Sequence, residues 1–567
     1  MTTFTELTII FSFAFLSALI FRILKQPLII SYIFSGIILS RLLINFKETD
    51  SLIQLFSELG IAFLLFIVGL ELKLKTLREI GLASIIIGLL QEFLTVLAGF
   101  VILRYILDFS LVTSLYLSIA LSFSSTIIVL KLITDKGDLE KLYGKLVVGF
   151  LLVQDLIAIL ILFSVPFFRS DFNTLSSYNF LKIPLAILAI FIVPLISNKL
   201  LPKVEKFLEK SHEFLFLFSL FFALSISSLF KILGFGIEAG ALVAGVSLSS
   251  LSSTYEIASR LRPLRDFFLI VFFILIGSNI TLSEISQILY PSILLSLFVL
   301  VGNPLIMILM LNPLGYSTKT SFLLGLTSAQ VSEFSFILIN QGIKMGHLDN
   351  QIVSLMGLIG LTSIFCSTYL FYYAEKIYKL FYPLLKKLEK KKIISDELYL
   401  KTYDYFLFGC DRLGYSFLKF FENQKEKLLI IDYNPEVLEN LKKNDFNVLY
   451  GDAEDVEFLS NINFTSAKII ISTVPDLETN LILAKEINKQ NSNAVFIPVA
   501  SNIEDALYLY SQNADFVILP HFLGGEYAVW LIKEKGFDKR NYLSLKEKEL
   551  FHLKQRKQIG HKHPSKF

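Results

Sequence analysis

The sequence has few of the residues that soluble enzymes and secreted proteins use. Of its 567 residues only 18% are charged and only 2 are Cys, which excludes a disulfide framework and a cysteine-rich metal site. The formal net charge of +3 is too small to indicate a nucleic-acid partner. Hydrophobic residues make up 54% of the chain, and its mean hydropathy is +0.64. Because soluble cores of ordinary size cannot bury so much apolar surface, we expect most of the chain to lie in a lipid bilayer.

Basic residues divide the chain into two parts. Residues 1–382 and residues 383–567 each contain 26 Lys and Arg, although the second part is about half as long. The boundary carries a run of lysines that is typical of a helix end at an anionic membrane surface, namely Lys386, Lys387, Lys390, Lys391 and Lys392. We predict a transmembrane domain at 1–382, a basic linker at 383–400, a soluble domain at 401–522, and a helix with a basic tail at 523–567.

The apolar segments predict a multi-pass α-helical membrane protein. A membrane-spanning helix needs about 20 mostly apolar residues. The sequence predicts thirteen spans, which are bounded by charged and turn residues. They lie at 4–24, 27–45, 53–71, 79–103, 112–134, 142–167, 179–200, 213–233, 237–252, 264–280, 285–311, 318–342 and 351–378. With the N-terminus outside, the inner loops carry 17 Lys and Arg before the linker and the outer loops carry 7. Because cytoplasmic loops are the more basic ones, we predict a plasma-membrane protein whose soluble domain is cytoplasmic.

Ionisable residues deep inside membrane spans are costly and indicate function, and four carboxylates stand out there. Asp155 lies near the middle of the sixth span, with no basic residue within nine positions on either side. Such a carboxylate either stays protonated or binds a cation. A carboxylate that alternates between these two states is the simplest ion-binding group that a proton/cation exchanger can have. A protonated Asp155 that only bonds a neighbouring helix is the structural alternative. Glu333 likewise lies inside an apolar helix, the twelfth span. Glu92 and Glu238 could act either as ion ligands or in helix packing, and the sequence favours neither role.

Two spans contain hydroxyl-rich patches, at 122–126 and at 327–332. Hydroxyl groups can satisfy backbone groups where a helix unwinds within the membrane, so the patches predict two broken helices. Back-bonding of Ser and Thr within continuous helices is the alternative. The two spans are seven apart in the chain and therefore run in opposite directions, as an inverted repeat requires. In such folds the negative C-terminal ends of half-helices attract cations near the midplane.

Several motifs resemble the second cation:proton antiporter family, particularly its Kef-type potassium efflux branch. They are the stretches 27–36, 58–66 and 69–72, with Ser124-Ser125-Thr126, Gln154-Asp155 and Glu333-Phe334. They follow one another in a consistent order over about residues 5–380. The resemblance implies a thirteen-helix, sodium/proton-antiporter-like fold with inverted repeats and two broken helices. It also implies a homodimer and alternating access by a core bundle that moves against a dimerising scaffold.

The same resemblance implies the residues of the transport site. Asp155 is the carboxylate that binds the proton and the monovalent cation, with K⁺ favoured over Na⁺. The other implied site residues are Gln154, Ser125, Thr126 and Glu333.

The resemblance also bears on the stoichiometry of exchange. Electrogenic relatives place a lysine where this chain has Asn303, and Gln154 supplies no second carboxylate. With Asp155 as the sole titrating group, one proton is exchanged for one cation, which predicts electroneutral transport. Titration of another intramembrane carboxylate, among Glu333, Glu92 and Glu238, is the alternative.

Residues 401–522 alternate short apolar runs with helical patterns, which predicts an α/β domain with a parallel sheet. The runs lie at 405–408, 428–431, 448–450, 469–471, 495–499 and 516–519. After the first run, residues 409–414 read Gly-Cys-Asp-Arg-Leu-Gly, a Rossmann nucleotide fingerprint whose middle glycine is replaced by Asp411. Asp432 ends the second run, 23 residues beyond Gly409, where an acidic residue can bond a ribose hydroxyl.

The order of these elements resembles the TrkA-N, or RCK-N, regulatory domain of potassium transporters and channels. This resemblance implies an adenine nucleotide, AMP or NAD(H), as a ligand. The expected nucleotide-binding residues are Gly409, Asp411, Arg412, Leu413, Gly414, Asp432, Asp452, Ala453 and Thr473. A domain that no longer binds nucleotide is the alternative, because the charge of Asp411 would repel the phosphates. By analogy with this family, the helix that contains Trp530 pairs two such domains.

The chain is predicted to be a transporter and not an enzyme. Only about 45 residues follow residue 522, too few for the substrate domain of a dehydrogenase. A nucleotide-gated potassium channel could share the regulatory domain, but the sequence has no Thr-Val-Gly-Tyr-Gly filter. A Na⁺/H⁺ exchanger and a non-transporting sensor on the same scaffold are the remaining alternatives.

Overall fold

The computed structural model describes two compact units. The described residues are 3–42, 50–71, 82–139, 141–168, 193, 197, 211–233, 236–251, 253–280, 285–314, 316–385, 401–410, 413–454, 456–460 and 462–558. One unit comprises Met1–Asn312 and Thr318–Leu388, and the other comprises the rest of the chain. Most of the predicted linker at 383–400, and the predicted span at 179–200 except Val193 and Ser197, lie outside the described residues.

The described part of the first unit is helical. Its helices are α1 (Thr3–Ile23), α2 (Leu28–Leu42), α3 (Asp50–Glu71), α4 (Leu82–Val101), α5 (Leu111–Ser122), α6 (Thr126–Lys136), α7 (Leu142–Ser164), α8 (His212–Ile232), α9 (Ile237–Leu248), α10 (Thr254–Ser278), α11 (Ile285–Leu297), α12 (Asn303–Leu311), α13 (Thr318–Thr327), α14 (Glu333–Lys344), α15 (Gln351–Tyr372) and α16 (Ala374–Leu385). A π-helical turn at Ile102–Ile106 extends α4, and another at Phe298–Gly302 joins α11 to α12. Eight helical segments of the described residues are long and apolar enough to cross a membrane, so the chain is an integral membrane protein.

These helices pack in two groups. In the first, which we call the scaffold group, α3 packs along α9 and α10, α10 packs on α2, α8 packs on α9, and α1 packs on α2. In the second, which we call the site group, α4 packs on α5 and α7, α13 packs on α12 and α7, and α15 packs on α11 and α14. Contacts between the groups are sparser and involve mainly α15 with α2 and α10, and α7 with α9. Each group is therefore more tightly packed internally than it is against the other.

Glycines let the scaffold helices approach each other closely. A Cβ on Gly245 of α9 would lie 2.1 Å from the carbonyl oxygen of Phe66 in α3. A Cβ on Gly277 of α10 would lie 2.0 Å from the carbonyl oxygen of Ile33 in α2. Lipid chains are as apolar as the helices, so membrane helices gain stability from close packing at small residues rather than from a hydrophobic effect between them.

The helix predicted at 264–280 begins ten residues earlier, at Thr254. The sequence prediction excluded the arginines that precede residue 264, but the structure keeps them in α10. Arg260 pairs with Glu256 of the preceding turn at 3.1 Å, and Arg262 pairs with Glu71 at the end of α3 at 2.9 Å. The charges are thus partnered without ending the helix.

The second unit contains a five-stranded parallel sheet with helices between the strands. Its elements are β1 (Tyr405–Phe408), α17 (Gly414–Phe420), β2 (Leu428–Asp432), α18 (Pro435–Lys443), β3 (Asn447–Tyr450), α19 (Val456–Ser460), β4 (Ile469–Ser472), α20 (Leu477–Gln490), β5 (Val495–Pro498), α21 (Ile503–Ser511), α22 (Pro520–Lys535) and α23 (Leu543–Gln558). The strand order is β3-β2-β1-β4-β5, and all neighbours are parallel. The order reverses between β1 and β4, the point at which open α/β sheets bind ligands.

The sixth predicted strand, at 516–519, makes only an isolated bridge, between Ile518 and Val499. Ile518 N donates to Pro498 O at 2.8 Å and Ala500 N donates to Ile518 O at 3.0 Å, which completes one parallel bridge. The helix α22 then begins at Pro520, which ends the extended segment at once.

Replacing Gly277 by Ala is expected to destabilise the scaffold group, because the new methyl group would overlap Ile33 O and push α10 away from α2. Overpacking costs about 1–3 kcal/mol, so the melting temperature of the detergent-solubilised chain should fall by roughly 3 °C or more. Gly99→Ala is the matched control, since its Cβ would meet its neighbours at 3.4 Å or more. Equal melting temperatures for the two variants would contradict the close-packing account.

Candidate functional site

Two helical paths of the site group are interrupted where the hydroxyl-rich patches lie. The helix α5 ends at Ser122 and α6 begins at Thr126, with extended backbone at Phe123 (φ −74°, ψ 134°) and Ser125 (φ −72°, ψ 113°). In the same way α13 ends at Thr327 and α14 begins at Glu333. Both interruptions therefore expose helix ends inside the bundle.

Serine side chains cap the helices that follow the interruptions. Ser125 Oγ accepts a hydrogen bond from Ile128 N at 3.4 Å, at the start of α6. Ser332 Oγ accepts one from Phe334 N at 3.2 Å, at the start of α14. Such caps satisfy N–H groups that have no carbonyl partner within the helix and that water cannot reach in a membrane.

Asn303, the first residue of α12, joins the two interruptions. Its Nδ2 donates to Leu121 O in the last turn of α5 and to Ser328 O just after α13, at 3.2 Å in both cases. Ser335 Oγ adds a further link, because it donates to Ala120 O at 2.6 Å. Asn303 is completely buried. A neutral amide thus stabilises the negative ends of two half-helices without adding a charge.

Asp155 lies on α7, facing the start of α6. The hydroxyl of Thr126 is 3.0 Å from both carboxylate oxygens, Oδ1 and Oδ2, and donates to them. The side chain of Asp155 is half-buried, so it is not sealed within the bundle. The charges of Glu333 and of Glu71, at the end of α3 in the scaffold group, act on the carboxylate.

Glu333 is the first residue of α14. Its Oε1 accepts from Ser125 Oγ at 3.1 Å, and its Oε2 accepts from Ser332 Oγ at 3.2 Å. A helix N-terminus favours a negative group, and the charge of Arg265 in α10 also acts on this carboxylate. The structure therefore brings four of the five predicted transport residues into one cluster, which consists of Asp155, Thr126, Ser125 and Glu333.

Gln154, the fifth predicted residue, binds the first interruption. Its Oε1 accepts from Ser124 N at 3.3 Å, and its Nε2 donates to Ser122 O at 2.9 Å and to Gln91 Oε1 at 2.8 Å. An amide donates and accepts at once, which matches the N–H and C=O groups left by the unwound turn. A direct role for Gln154 as a cation ligand stays a prediction.

The other two intramembrane carboxylates lie in different places. Glu92 of α4 is buried beside the first interruption, where its Oε1 makes a short hydrogen bond with Ser122 Oγ. Glu238 lies at the start of α9, where its Oε1 is 3.8 Å from Lys344 Nζ. Lys344 ends α14 and also pairs with Glu58 of α3 at 2.9 Å, so it links the site group to the scaffold group. Sequence reasoning missed this pair because Glu58 and Lys344 are 286 positions apart.

In the second unit, a glycine loop follows β1. Gly409 has φ +79°, a conformation that residues with a side chain rarely adopt. A Cβ on Gly414 would lie 2.2 Å from Gly409 O, so the start of α17 packs directly on the loop. Thr473, just after β4, donates from Oγ1 to Gly409 O at 2.9 Å. Asp411 and Arg412 lie outside the described residues.

Asp432 connects this loop to the end of β2. Its Oδ2 accepts from Cys410 N at 2.7 Å, and its Oδ1 accepts from Asn434 N at 2.8 Å. Asp452, after β3, accepts from Glu454 N at 3.0 Å. The predicted residues Asp432, Asp452, Thr473 and the two glycines thus follow the carboxyl ends of the strands. Ala453, which is buried, and Leu413, which is half-buried, accompany them.

A family model described as "Sodium/hydrogen exchanger, transmembrane" matches residues 10–372, well over half of the chain. The chain belongs to the sodium/hydrogen exchanger family. A TrkA-N domain model matches residues 405–520, so this member of the exchanger family also carries a Rossmann-like TrkA-N domain. Both resemblances predicted from the sequence are confirmed.

Relatives of this exchanger-family chain include plant and bacterial proteins. It is 27% identical to "K(+) efflux antiporter 4" of Arabidopsis thaliana over 64% of this chain and 61% of the relative, so it spans about three fifths of that protein. It is 24% identical to "Putative cation/proton antiporter YbaL" of Escherichia coli (strain K12) over 89% of this chain and 93% of the relative. Among solved structures, the sodium proton antiporter MjNhaP1 of Methanocaldococcus jannaschii aligns with 69% of this chain and 99% of its own, at 17% identity and a TM-score of 0.49.

Replacing Asn303 by Ala is expected to destabilise the site group, because Leu121 O and Ser328 O would both lose a donor. Two hydrogen bonds at about 1 kcal/mol each correspond to about 2 kcal/mol of unfolding free energy. Thermal unfolding in detergent measures the loss. Ser328→Ala is the control, since that hydroxyl donates only to Gly325 O in the last turn of α13, at 2.7 Å. A smaller loss for Asn303→Ala than for the control would contradict the bridging role.

Proposed function

We propose that the chain is a secondary antiporter that exchanges a monovalent cation, K⁺ rather than Na⁺, for a proton, and that it catalyses no chemical reaction. The observation that carries this proposal is the half-buried Asp155 carboxylate, hydrogen-bonded by Thr126 beside two interrupted helices. The names of the relatives support the choice of ion. The positive-inside pattern supports an orientation with the N-terminus outside and the TrkA-N domain in the cytoplasm, and we propose the plasma membrane as the location.

The chemistry of exchange follows from the charge of Asp155. An ionised carboxylate inside a membrane protein must be neutralised, either by a bound cation or by a proton. The oxygens of Asp155 and Thr126 suit an alkali cation, which prefers oxygen ligands. A proton on Asp155 removes the charge that holds the cation, so the two ions compete for one site. Each ion therefore crosses the membrane only in the absence of the other.

The packing supports alternating access. The scaffold and site groups share few contacts, so one group can shift against the other without disrupting either interior. Asp155 belongs to the site group, while the charges of Glu71 and Arg265, which act on the ion-site carboxylates, belong to the scaffold group. A shift between the groups would therefore change the access to Asp155. The pairs α5–α6 and α13–α14 fit the two broken helices of a thirteen-helix fold with inverted repeats.

The charges around the site support electroneutral exchange. Asn303 is neutral where a lysine would carry a second exchangeable proton. Glu333 is held by two serine hydroxyls and the N-terminus of α14. Glu238 faces Lys344 instead of the ion site. Asp155 is thus left as the group that alternates between cation and proton.

Replacing Asp155 by Asn is expected to abolish exchange, because an amide has no charge to share between K⁺ and a proton. Proteoliposomes with a trapped pH dye should show a K⁺-evoked pH change for the wild type and none for Asp155→Asn. Asp135→Asn is the matched control, since Asp135 lies exposed near the end of α6 and its loss should leave exchange intact. K⁺ current without counter-moving protons would indicate a channel and contradict the proposal.

We further propose that the TrkA-N domain binds AMP or NAD(H) and regulates transport. The glycine loop, Asp432 and Thr473 surround the crevice between the ends of β1 and β4, where dinucleotides bind in such sheets. Asp432 accepts from Cys410 N in the glycine loop and from Asn434 N, so its carboxylate is fixed beside that loop, where an acidic residue can bond a ribose hydroxyl.

Nucleotide binding is expected to raise the melting temperature of the TrkA-N domain within the full chain. Ligand at about 100 times its dissociation constant adds about 2.7 kcal/mol of stability. Asp432→Ala should remove the shift, whereas Asp538→Ala, at the exposed start of a 3₁₀ turn after α22, should keep it. The absence of a shift with AMP, NAD⁺ and NADH would support the alternative in which Asp411 has ended nucleotide binding.

The terminal helices support a homodimer. No residue of α22 is buried, although the helix contains Phe522, Tyr527 and Trp530, of which Trp530 is 54% exposed. Exposed aromatic clusters of this kind mark interaction surfaces. We propose that α22 binds α22 of a second copy of the chain. The membrane unit has the lipid bilayer as its partner.

A further inference from the structure

We propose that Glu92 keeps its proton throughout the transport cycle and positions the first helix interruption. It would then be a positioning residue that acts through Ser122 and Gln154, not a second carrier of protons. The transport part of this inference rests on the proposed antiporter function, whereas the protonation of Glu92 does not.

The hydrogen atoms at Ser122 indicate a protonated Glu92. The Ser122 hydroxyl has one hydrogen, and it donates to Ile119 O at 2.7 Å in its own helix. The same oxygen is in short hydrogen-bond contact with Glu92 Oε1. A carbonyl oxygen can only accept, so the single Ser122 hydrogen cannot point fully at both Ile119 O and Glu92 Oε1. A carboxylic acid that donates to Ser122 Oγ gives each contact its own hydrogen, whereas an ionised carboxylate leaves two acceptors to share one.

The amide of Gln154 does not supply the missing donor. Its Nε2 has two hydrogens and donates to Gln91 Oε1 at 2.8 Å and to Ser122 O at 2.9 Å. Glu92 Oε2 lies farther away, at 3.5 Å. Both hydrogens are used by the closer acceptors, so Glu92 receives at most a weak third contact.

The charges around Glu92 point the same way. The segments packed against α4 are α5, α7, α12 and the π-helical turn that follows α4. Their titratable and charged residues are Tyr116 on α5, Tyr143, Lys145 and Asp155 on α7, and Arg104 and Tyr105 on the turn. Lys145 precedes Gln154 by nine residues, about 14 Å along the helix axis, and Arg104 donates instead to Phe109 O at 2.9 Å. Within the described part of the chain no ion pair includes Glu92, and a buried carboxylate without a cation is stable only in its neutral form.

A permanently neutral Glu92 has a structural consequence for Asp155. Ser122 is the last residue of α5, and its side chain is bound by Glu92 while its carbonyl oxygen is bound by Gln154. Gln154 directly precedes Asp155 on α7. Glu92 therefore links α4 to the end of α5, which Gln154 connects to the Asp155 carboxylate on α7. Its proton serves this contact and is not released to either side.

Infrared spectroscopy of the full chain tests the protonation directly. The band of protonated carboxylic acids should lose a component in Glu92→Gln relative to the wild type. That component should be insensitive to pH from about pH 5 to about pH 7, where an exposed glutamate is ionised, and it should persist in Asp155→Asn. A difference spectrum without this component, or a component that titrates across the range, would show that Glu92 ionises and would overturn the proposal. This readout needs no transport, so it stands even if antiport fails.

Transport by two variants tests the positioning role. The amide of Glu92→Gln can donate to Ser122 Oγ as the acid does, so exchange should stay within about threefold of the wild type with the same pH profile. Glu92→Leu removes the donor and should lower the maximal rate about tenfold or more. A shifted pH profile in Glu92→Gln, or fewer protons moved per K⁺, would show that Glu92 carries a transported proton. Equal rates for the two variants would show that its hydrogen bond does not matter. If the wild type itself exchanged no K⁺ for protons, the antiporter proposal would fail while the infrared result would still decide the state of Glu92.

Discussion

A charge inside a membrane protein must be neutralised, and this requirement acts on Asp155 more than on any other described residue of the ion site. Its carboxylate is bonded by the Thr126 hydroxyl and left partly accessible, while the negative charge of Glu333 acts on it. A like-charged setting makes the ionised form dependent on a mobile partner. A proton and an alkali cation are the two partners that the surroundings allow. The proposed exchange mechanism thus follows from where one carboxylate lies.

In the proposed mechanism, Asp155 is the one charge that changes, and the surrounding structure supports this role. Two interrupted helices create a polar space inside an apolar bundle, and uncharged side chains satisfy the backbone groups that the interruptions expose. Asn303 holds both negative helix ends, and Gln154 holds the unwound turn after α5. Amides suit this task because they donate and accept without titrating. Exchange of one proton for one cation requires a single titrating acid, with neutral groups around it.

The sequence predicts the chemistry of the site better than its long-range contacts. Asp155, Thr126, Ser125 and Glu333 were visible as polar residues in apolar spans, because the cost of burying them makes them conspicuous. The partners of Gln154 were not visible, since they depend on how α4, α5 and α7 pack. The early start of α10 was missed because its arginines are paired with Glu256 and with Glu71 of another helix. The incomplete sixth strand was missed because its pairing stops after the bridge between Val499 and Ile518, which local propensity does not reveal.

Calorimetry of K⁺ binding tests the central claim most directly. Titrating the purified chain with K⁺ in buffers of different ionisation enthalpy reports the number of protons released for each cation bound. At a pH where Asp155 is protonated before K⁺ arrives, the account predicts about one proton released per K⁺, and no release in Asp155→Asn. K⁺ binding without proton release in the wild type, or unchanged release in the variant, would contradict it.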